Sequence, residues 1–207
     1  MAAVISRTAW PARRVYAELW SMDVRTKDRE GVMRITVAST AEAVDDWAAR
    51  VAGARVLGLD IEYRPNMQKG GRTNRTSLIQ LAAGDEVLLV QMFALGSVPV
   101  GLASLLENAS VLKTGVGIDG DVAKLKNDWR IEVKGAVDLS TVMMMHHDEP
   151  TYLSLAKLSV RLLAVDMCKD RRVVLSNWER RKLSQEQVLY AALDAWVGCE
   201  CAGVLKL

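Results

Sequence analysis

The sequence predicts an α/β fold in which a mixed β-sheet is flanked by α-helices. Short apolar segments that suit strands alternate with longer segments whose apolar residues recur at helical spacing. Two of the apolar segments are joined through Gly84 and Asp85, a pattern typical of an antiparallel hairpin. The chain has 207 residues, of which 50% are hydrophobic, enough for one domain with a substantial core.

The first part of the chain is expected to be an N-terminal arm. Residues 1–31 mix charged with small residues and show weak periodicity, so we expect this arm to be loosely ordered. The domain proper is predicted at residues 32–207. It begins with a short strand at residues 33–37 and a helix at residues 41–51, which Ser39 or Thr40 can cap.

The remaining elements follow in order. Strands are predicted at residues 56–63, 77–82, 86–91, 111–117 and 136–139. Helices are predicted at residues 102–108, from Asp121, from Ser140 and at residues 154–164. A long C-terminal helix is predicted to start at Ser184, because Ser184 and Gln187 form a capping-box pattern.

Composition excludes several classes of protein. A net charge of +2 indicates no particular partner. The three cysteines (Cys168, Cys199 and Cys201) have neither a disulfide-framework nor a zinc spacing, so a reduced, intracellular setting is expected. Residues 87–106 carry no charge, but Gly96, Pro99 and Gly101 interrupt them, and we therefore reject a membrane span.

Acidic residues stand at three positions where the local pattern favours burial. Asp60 and Glu62 project from the same face of a predicted strand, which suits a divalent cation or, alternatively, the solvated end of that strand. Asp121 stands where a strand turns into a helix and could simply cap it. Asp194 could face water on its helix, and Tyr190, one turn earlier, could be an ordinary half-buried tyrosine.

These residues belong to three segments that resemble the motifs of the DEDDy 3′–5′ exonucleases, a family with a ribonuclease H-like fold. The segments are Leu59-Asp60-Ile61-Glu62, Gly115-Val116-Gly117-Ile118-Asp119-Gly120-Asp121 and Tyr190-Ala191-Ala192-Leu193-Asp194-Ala195. The resemblance covers residues 32–205 and is closest to the Werner-syndrome-type exonuclease domain. Leu189 stands where the other branch of the family has a histidine, which places this chain in the tyrosine branch.

The resemblance implies a metal-dependent hydrolase that removes nucleotides from 3′ ends. Asp60, Glu62, Asp121 and Asp194 would hold two divalent metal ions, Mg²⁺ with Mn²⁺ as a substitute, and Tyr190 would orient the attacking water. Two metals suit this reaction because they stabilise charge on both the attacking and the leaving oxygen.

Two basic segments are expected to flank the metal site and to bind a phosphate backbone. Residues 64–75 carry basic residues and no acid, and residues 169–182 carry six basic residues against two acidic ones. The candidate nucleic-acid-binding residues are Arg64, Arg72, Arg75, Lys169, Arg172 and Trp178. Trp178 and Tyr63 could stack on bases. The alternative is that both segments are solvated loops and that Trp178 belongs to the core.

The expected partner is a nucleic acid with a free 3′ end, with DNA slightly favoured by the Ser176-Asn177-Trp178 context. An exoribonuclease is the alternative, and a non-catalytic nucleic-acid-binding protein is a third possibility. No membrane partner is expected, the oligomeric state stays open, and any unwinding would need a separate helicase. The Werner-type resemblance favours a nuclear role in DNA repair, with the cytoplasm and organelles as alternatives.

Overall fold

The computed structural model describes residues 5–7, 17–66, 68, 70–147, 149–167 and 170–207. The strands are β1 (Ile5–Arg7), β2 (Ala17–Arg25), β3 (Glu30–Ala38), β4 (Val56–Tyr63), β5 (Thr76–Ala83), β6 (Glu86–Gln91), β7 (Leu112–Gly115) and β8 (Ala136–Asp138). They form one sheet in the order β1-β2-β3-β6-β5-β4-β7-β8. The pairs β3–β6, β4–β7 and β7–β8 are parallel and the others are antiparallel, so the predicted mixed sheet is confirmed.

Helices pack on both faces of this sheet. They are α1 (Ala41–Arg50), α2 (Met92–Leu95), α3 (Val100–Glu107), α4 (Ile118–Trp129), α5 (Leu139–His146), α6 (Leu155–Leu158), α7 (Arg171–Val174) and α8 (Gln185–Val204). One apolar core lies between the sheet and α1, α3 and α4, and a second lies on the side of α5, α6 and α8. No helix within the described part of the chain is long and apolar enough to cross a membrane.

The N-terminal part of the chain differs from the prediction. β2 pairs along its whole length with β3, and the boundary placed after residue 31 falls inside β3. Residues 17–31 therefore belong to the sheet rather than to a loose arm. Met22 and Val24 alternate with exposed residues and enter the α8-side core, a period-two pattern that the surrounding charges concealed.

Several helix boundaries also differ from those expected. Thr40, not Ser39, caps α1, since its side chain accepts a hydrogen bond from the Ala43 N–H. α4 begins at Ile118 after a left-handed Gly117, so Asp121 lies in the first turn and is not the cap. The segment expected as one amphipathic helix is α6 followed by a π-helical turn at Ser159–Leu163.

α8 forms as predicted and lies directly on the centre of the sheet. Ser184 and Gln187 form the complete capping box at its start. A Cβ atom on Gly58 of β4 would lie 1.8 Å from the Ala195 carbonyl oxygen, and one on Gly198 would lie 2.9 Å from the Thr114 carbonyl oxygen. The helix and strand backbones are therefore in direct contact, and only glycine fits at these positions.

We expect Gly58→Ala to lower the free energy of unfolding by about 1–3 kcal/mol, because α8 would have to move away from β4. Denaturant unfolding followed by circular dichroism measures this loss. Gly53→Ala is the matched control, since a Cβ atom there meets nothing within 4 Å, and its effect should stay within about 0.5 kcal/mol. Equal effects of the two substitutions would contradict the close contact.

Candidate active site

β4 presents two carboxylates on the face that α8 covers. Leu59 and Ile61 enter the core on the opposite face, so Asp60 and Glu62, which alternate with them, lie on the α8 side. Asp60 and Glu62 are both paired with β5, and a register shift follows Glu62. The strand therefore continues through both residues, which are partly buried.

α8 supplies two further candidate site residues, Asp194 and Tyr190. Asp194 is only 2% exposed, so it does not face water. Tyr190, one turn before Asp194 on the same helix, keeps its hydroxyl proton at neutral pH. Burial and the negative charges of Asp194 and Glu62 hold the pKa of Tyr190 far above its ordinary value.

The fourth acidic residue comes from the first turn of α4. Asp121 is half-buried, and burial raises the pKa of its carboxyl group to about 7. The α4 start is set by Gly117, whose φ of 72° suits glycine. The strand β7 thus turns sharply into a helix, and Asp121 follows this turn.

The four carboxylates influence one another. Burial raises the pKa of Asp60 well above its ordinary value, and the negative charges of Asp194, Asp121 and Glu62 raise it further. Four acidic residues from β4, α4 and α8 therefore lie near enough for their charges to interact. Their roles in binding and catalysis stay predictions.

This cluster is not a preformed coordination shell. No group of three or more His, Cys, Asp or Glu side chains among the described residues is already arranged to hold a metal ion. Repulsion between like charges opposes a closer approach of the four carboxylates. The structure shows acidic side chains close enough for their negative charges to raise the pKa of Asp60.

A pocket of about 600 Å³ opens beside the cluster, a volume suited to a nucleotide-sized ligand. Its lining residues are Leu59, Asp60, Glu62, Gly115, Val116, Gly117, Tyr152, Ser154, Leu155, Lys157 and Tyr190. Asp121 and Asp194 are not among the residues that line it. Three of the predicted site residues, Asp60, Glu62 and Tyr190, therefore border the pocket.

Tyr152 and Lys157 of this pocket were not singled out from the sequence. The Tyr152 hydroxyl donates a hydrogen bond to Asp138 Oδ2 at 2.7 Å, and the Gly117 N–H donates to the same Oδ2 at 2.6 Å. Partial burial and the bond to Asp138 raise the pKa of Tyr152 to about 12. No periodicity marks Tyr152, because it precedes a helix and comes near Gly117 only in the folded chain.

Asp138 is the acceptor that holds this rim together. Burial alone would raise the pKa of Asp138, but hydrogen bonds from the Thr141 N–H, the Tyr152 hydroxyl and the Gly117 N–H outweigh it and lower that pKa. The carboxylate is therefore charged at neutral pH. It links the start of α5 to the turn before α4.

The basic residues predicted to bind nucleic acid have different positions. Arg64 is exposed and lies 3.4 Å from Glu179, so the two basic segments meet just beyond Glu62. The Arg75 side chain donates to the Asp128 carbonyl oxygen and stacks over the Trp129 ring at 3.4 Å.

Three further candidates differ in their surroundings. Arg72 is exposed. Arg172 is exposed as well and pairs with Asp170 at 2.7 Å. Lys169 lies outside the described residues. Of the basic candidates that the structure describes, Arg64 and Arg72 are the exposed side chains closest in sequence to the acidic end of β4.

The assignment of Trp178 as a nucleic-acid contact is wrong, because its ring is buried in the core and is not exposed for stacking on a base. Its side chain is 1% exposed and belongs to the α8-side core. The indole N–H donates to the Val174 carbonyl oxygen, and the ring packs against Tyr190 with centroids 6.0 Å apart. Burial of its large apolar ring stabilises Trp178 in this position. The ring packs against Tyr190 from the side of the core.

Tyr63 is half-buried. The Lys124 ammonium lies over its ring, 4.4 Å from the centroid. This cation–π contact occupies the ring face that would otherwise be offered to a base. Stacking by Tyr63 would therefore require the opposite face.

Comparison with known proteins gives consistent results. Residues 35–206 match the 3′-5′ exonuclease family. An Arabidopsis thaliana 3′-5′ exonuclease is 32% identical over 183 residues, which are 84% of this chain and 64% of that protein. The mouse bifunctional 3′-5′ exonuclease/ATP-dependent helicase WRN is 34% identical over 155 residues, 74% of this chain and 11% of that protein. The chain therefore spans less than two-thirds of either relative.

Solved structures agree on the fold. Escherichia coli RNase D, an exoribonuclease involved in structured RNA processing, superposes with a TM-score of 0.72 at 20% identity, over 84% of this chain and 44% of that one. Trypanosoma brucei RNase D in complex with RNA U12 gives a TM-score of 0.69 at 21% identity, over 83% and 62%. The predicted ribonuclease H-like α/β fold is confirmed.

The cluster should make the stability of the metal-free protein fall as pH rises. Folding raises the pKa values of Asp60 and Asp121, so the folded protein binds protons that the unfolded chain has already released. In EDTA, the unfolding temperature should therefore be higher at about pH 5.5 than at about pH 8. Scanning fluorimetry across this range measures the difference.

Asp121→Asn provides the internal comparison for this effect. Removing one titrating carboxyl should flatten the pH dependence and raise the unfolding temperature of the metal-free protein at about pH 8. Asp46, an exposed residue of α1, gives the control substitution Asp46→Asn. A metal-free wild type with the same unfolding temperature at both pH values would contradict the coupling.

Proposed function

The chain belongs to the 3′-5′ exonuclease family, and from this premise we propose that it hydrolyses phosphodiester bonds at nucleic-acid 3′ ends with the help of two divalent cations. The observation that carries the proposal is the meeting of Asp60, Glu62, Asp121 and Asp194 at one end of β4. Four carboxylates placed together in a partly buried region are costly unless cations neutralise them.

The donor chemistry fits Mg²⁺, with Mn²⁺ as a substitute. Both are hard cations that prefer carboxylate oxygens, and four carboxylates balance the charge of two dications. When bound, such cations generate hydroxide at neutral pH and stabilise the leaving oxygen. The side chains are not already arranged as a coordination shell, so we expect them to adjust when cations bind.

Tyr190 orients the attacking water in this proposal. Its hydroxyl keeps its proton at neutral pH because its pKa is raised, so it acts as a hydrogen-bond donor and not as a base. Packing against Trp178 holds the ring in place. Orientation of this kind lowers the barrier by presenting the nucleophile at the correct angle.

The pocket rim binds the terminal nucleotide. Lys157 is exposed and lines the pocket, where its charge can pair with a phosphate. Tyr152 is 51% exposed and lines the same pocket with its hydroxyl fixed by Asp138, so its ring can support a base by stacking. Arg64 and Arg72 add positive charge along the path of the nucleic-acid strand that enters the pocket.

DNA is the first candidate substrate and RNA the second. The Werner-type resemblance of residues 176–178 favours DNA. The fold similarity to an RNase D structure solved with RNA favours RNA. Discrimination between the two depends on contacts to the 2′-hydroxyl. A nuclear location, a role in DNA repair and a separate helicase partner stay predictions.

We expect Asp60→Asn and Asp194→Asn each to reduce hydrolysis by at least about 10²-fold, since each removes charge that holds the cations. A 5′-labelled single-stranded oligonucleotide incubated with Mg²⁺ should give a ladder of products shortened from the 3′ end. EDTA should abolish the ladder. Asp46→Asn is the control, because this exposed acidic residue lies on α1, away from the cluster. Wild-type rates in either cluster variant would refute the proposal.

Tyr190→Phe separates orientation from metal binding. We expect a loss of about 10- to 100-fold in kcat with little change in the Mg²⁺ concentration that gives half-maximal rate. Matched DNA and RNA oligonucleotides, single-stranded and with recessed ends, identify the substrate in the same assay. Unchanged kcat in Tyr190→Phe would remove Tyr190 from the reaction.

A further inference from the structure

A buried glutamine beside the acidic cluster has no hydrogen-bond partner in the described part of the chain. The Gln80 side chain is 0% exposed, and neither Oε1 nor Nε2 makes a hydrogen bond to any described residue. Gln91 on the next strand is similarly buried, at 6% exposed, but its Nε2 donates to the carbonyl oxygens of Arg180 and Arg181. The two glutamines share a residue type and burial and differ in whether their amides are satisfied.

Gln80 is the cross-strand neighbour of Asp60. The two residues are directly paired in the antiparallel register of β4 and β5. Leu78 and Ala82, on either side of Gln80 along the same face, belong to the α8-side core, so the Gln80 and Asp60 side chains share that face. Side chains paired in this way have Cβ atoms about 5 Å apart, well within reach of a glutamine amide.

Leaving this amide without partners is energetically unfavourable. A buried polar group without a hydrogen bond costs about 1–3 kcal/mol, and an apolar side chain of the same length would avoid that cost. Asp60 Oδ1 already accepts a hydrogen bond from the Ile61 N–H at 2.9 Å. A carboxylate has further acceptor positions, and Asp60 is the acidic residue directly paired with Gln80.

We propose that Gln80 is a positioning residue of the metal site. Its amide N–H donates to the Asp60 carboxylate when a divalent cation is bound and fixes the orientation in which Asp60 meets the cation. Hydrogen bonds that orient ligating carboxylates raise metal affinity. This inference rests on the proposed function, because it requires Asp60 to be a metal ligand.

The test compares Gln80→Met with Gln91→Met, since methionine keeps the length of glutamine and removes its polar atoms. Mn²⁺ binding to the whole chain is measured by isothermal titration calorimetry, and unfolding temperature is measured in EDTA. Gln80→Met should weaken Mn²⁺ binding by about 10- to 100-fold and leave the metal-free unfolding temperature unchanged or higher. Gln91→Met should lower the unfolding temperature and leave Mn²⁺ binding unchanged.

The outcomes distinguish this inference from the proposed function. Unchanged Mn²⁺ affinity in Gln80→Met overturns the inference, and a lowered unfolding temperature in addition would give Gln80 a purely structural role. Wild-type protein that neither binds Mn²⁺ nor degrades an oligonucleotide overturns the proposed function instead. If Gln80→Met does not fold, a crystal structure of the wild type with Mn²⁺ decides. Gln80 Nε2 within about 3.2 Å of an Asp60 oxygen supports the inference, and a longer separation overturns it.

Discussion

The contact between the backbones of α8 and β4 is the constraint on which the rest of the structure depends. A Cβ atom at Gly58 would overlap the Ala195 carbonyl, so the helix can lie on the strand only because this residue is glycine. Ala191, Ala192 and Ala195 are fully buried on the helix, and their small side chains allow the same close approach. This close packing brings Asp194 near Asp60, and the acidic cluster depends on it.

The cluster itself opposes folding of the metal-free chain. Burial and mutual repulsion raise the pKa values of Asp60 and Asp121, which means that their charged forms are disfavoured in the folded state. The surrounding structure offsets this cost through apolar packing on both faces of the sheet. Functional sites commonly lower the stability of the folded state in this way. The unsatisfied amide of Gln80 lies in the same region.

Agreement between sequence and structure was greatest where local signals are strong. The capping box of α8, the β5–β6 hairpin and β4 were predicted close to their observed bounds, and the predicted family was confirmed. The N-terminal arm and the role of Trp178 were predicted incorrectly. Charges concealed the alternation of β2, and an indole near a basic segment has the same sequence signal whether it faces solvent or the core.

The sequence by itself determined which residue types are available for chemistry and in what order: the acidic pair of β4, the acid of α4 and the tyrosine–aspartate pair of α8. Only the tertiary structure decided that these groups lie near one another and that Tyr152 and Lys157 border a pocket beside them. The physical reason is the distance along the chain over which each kind of signal acts. Hydrophobic periodicity and capping act over a few residues, whereas the site joins segments more than 100 residues apart whose proximity depends on packing.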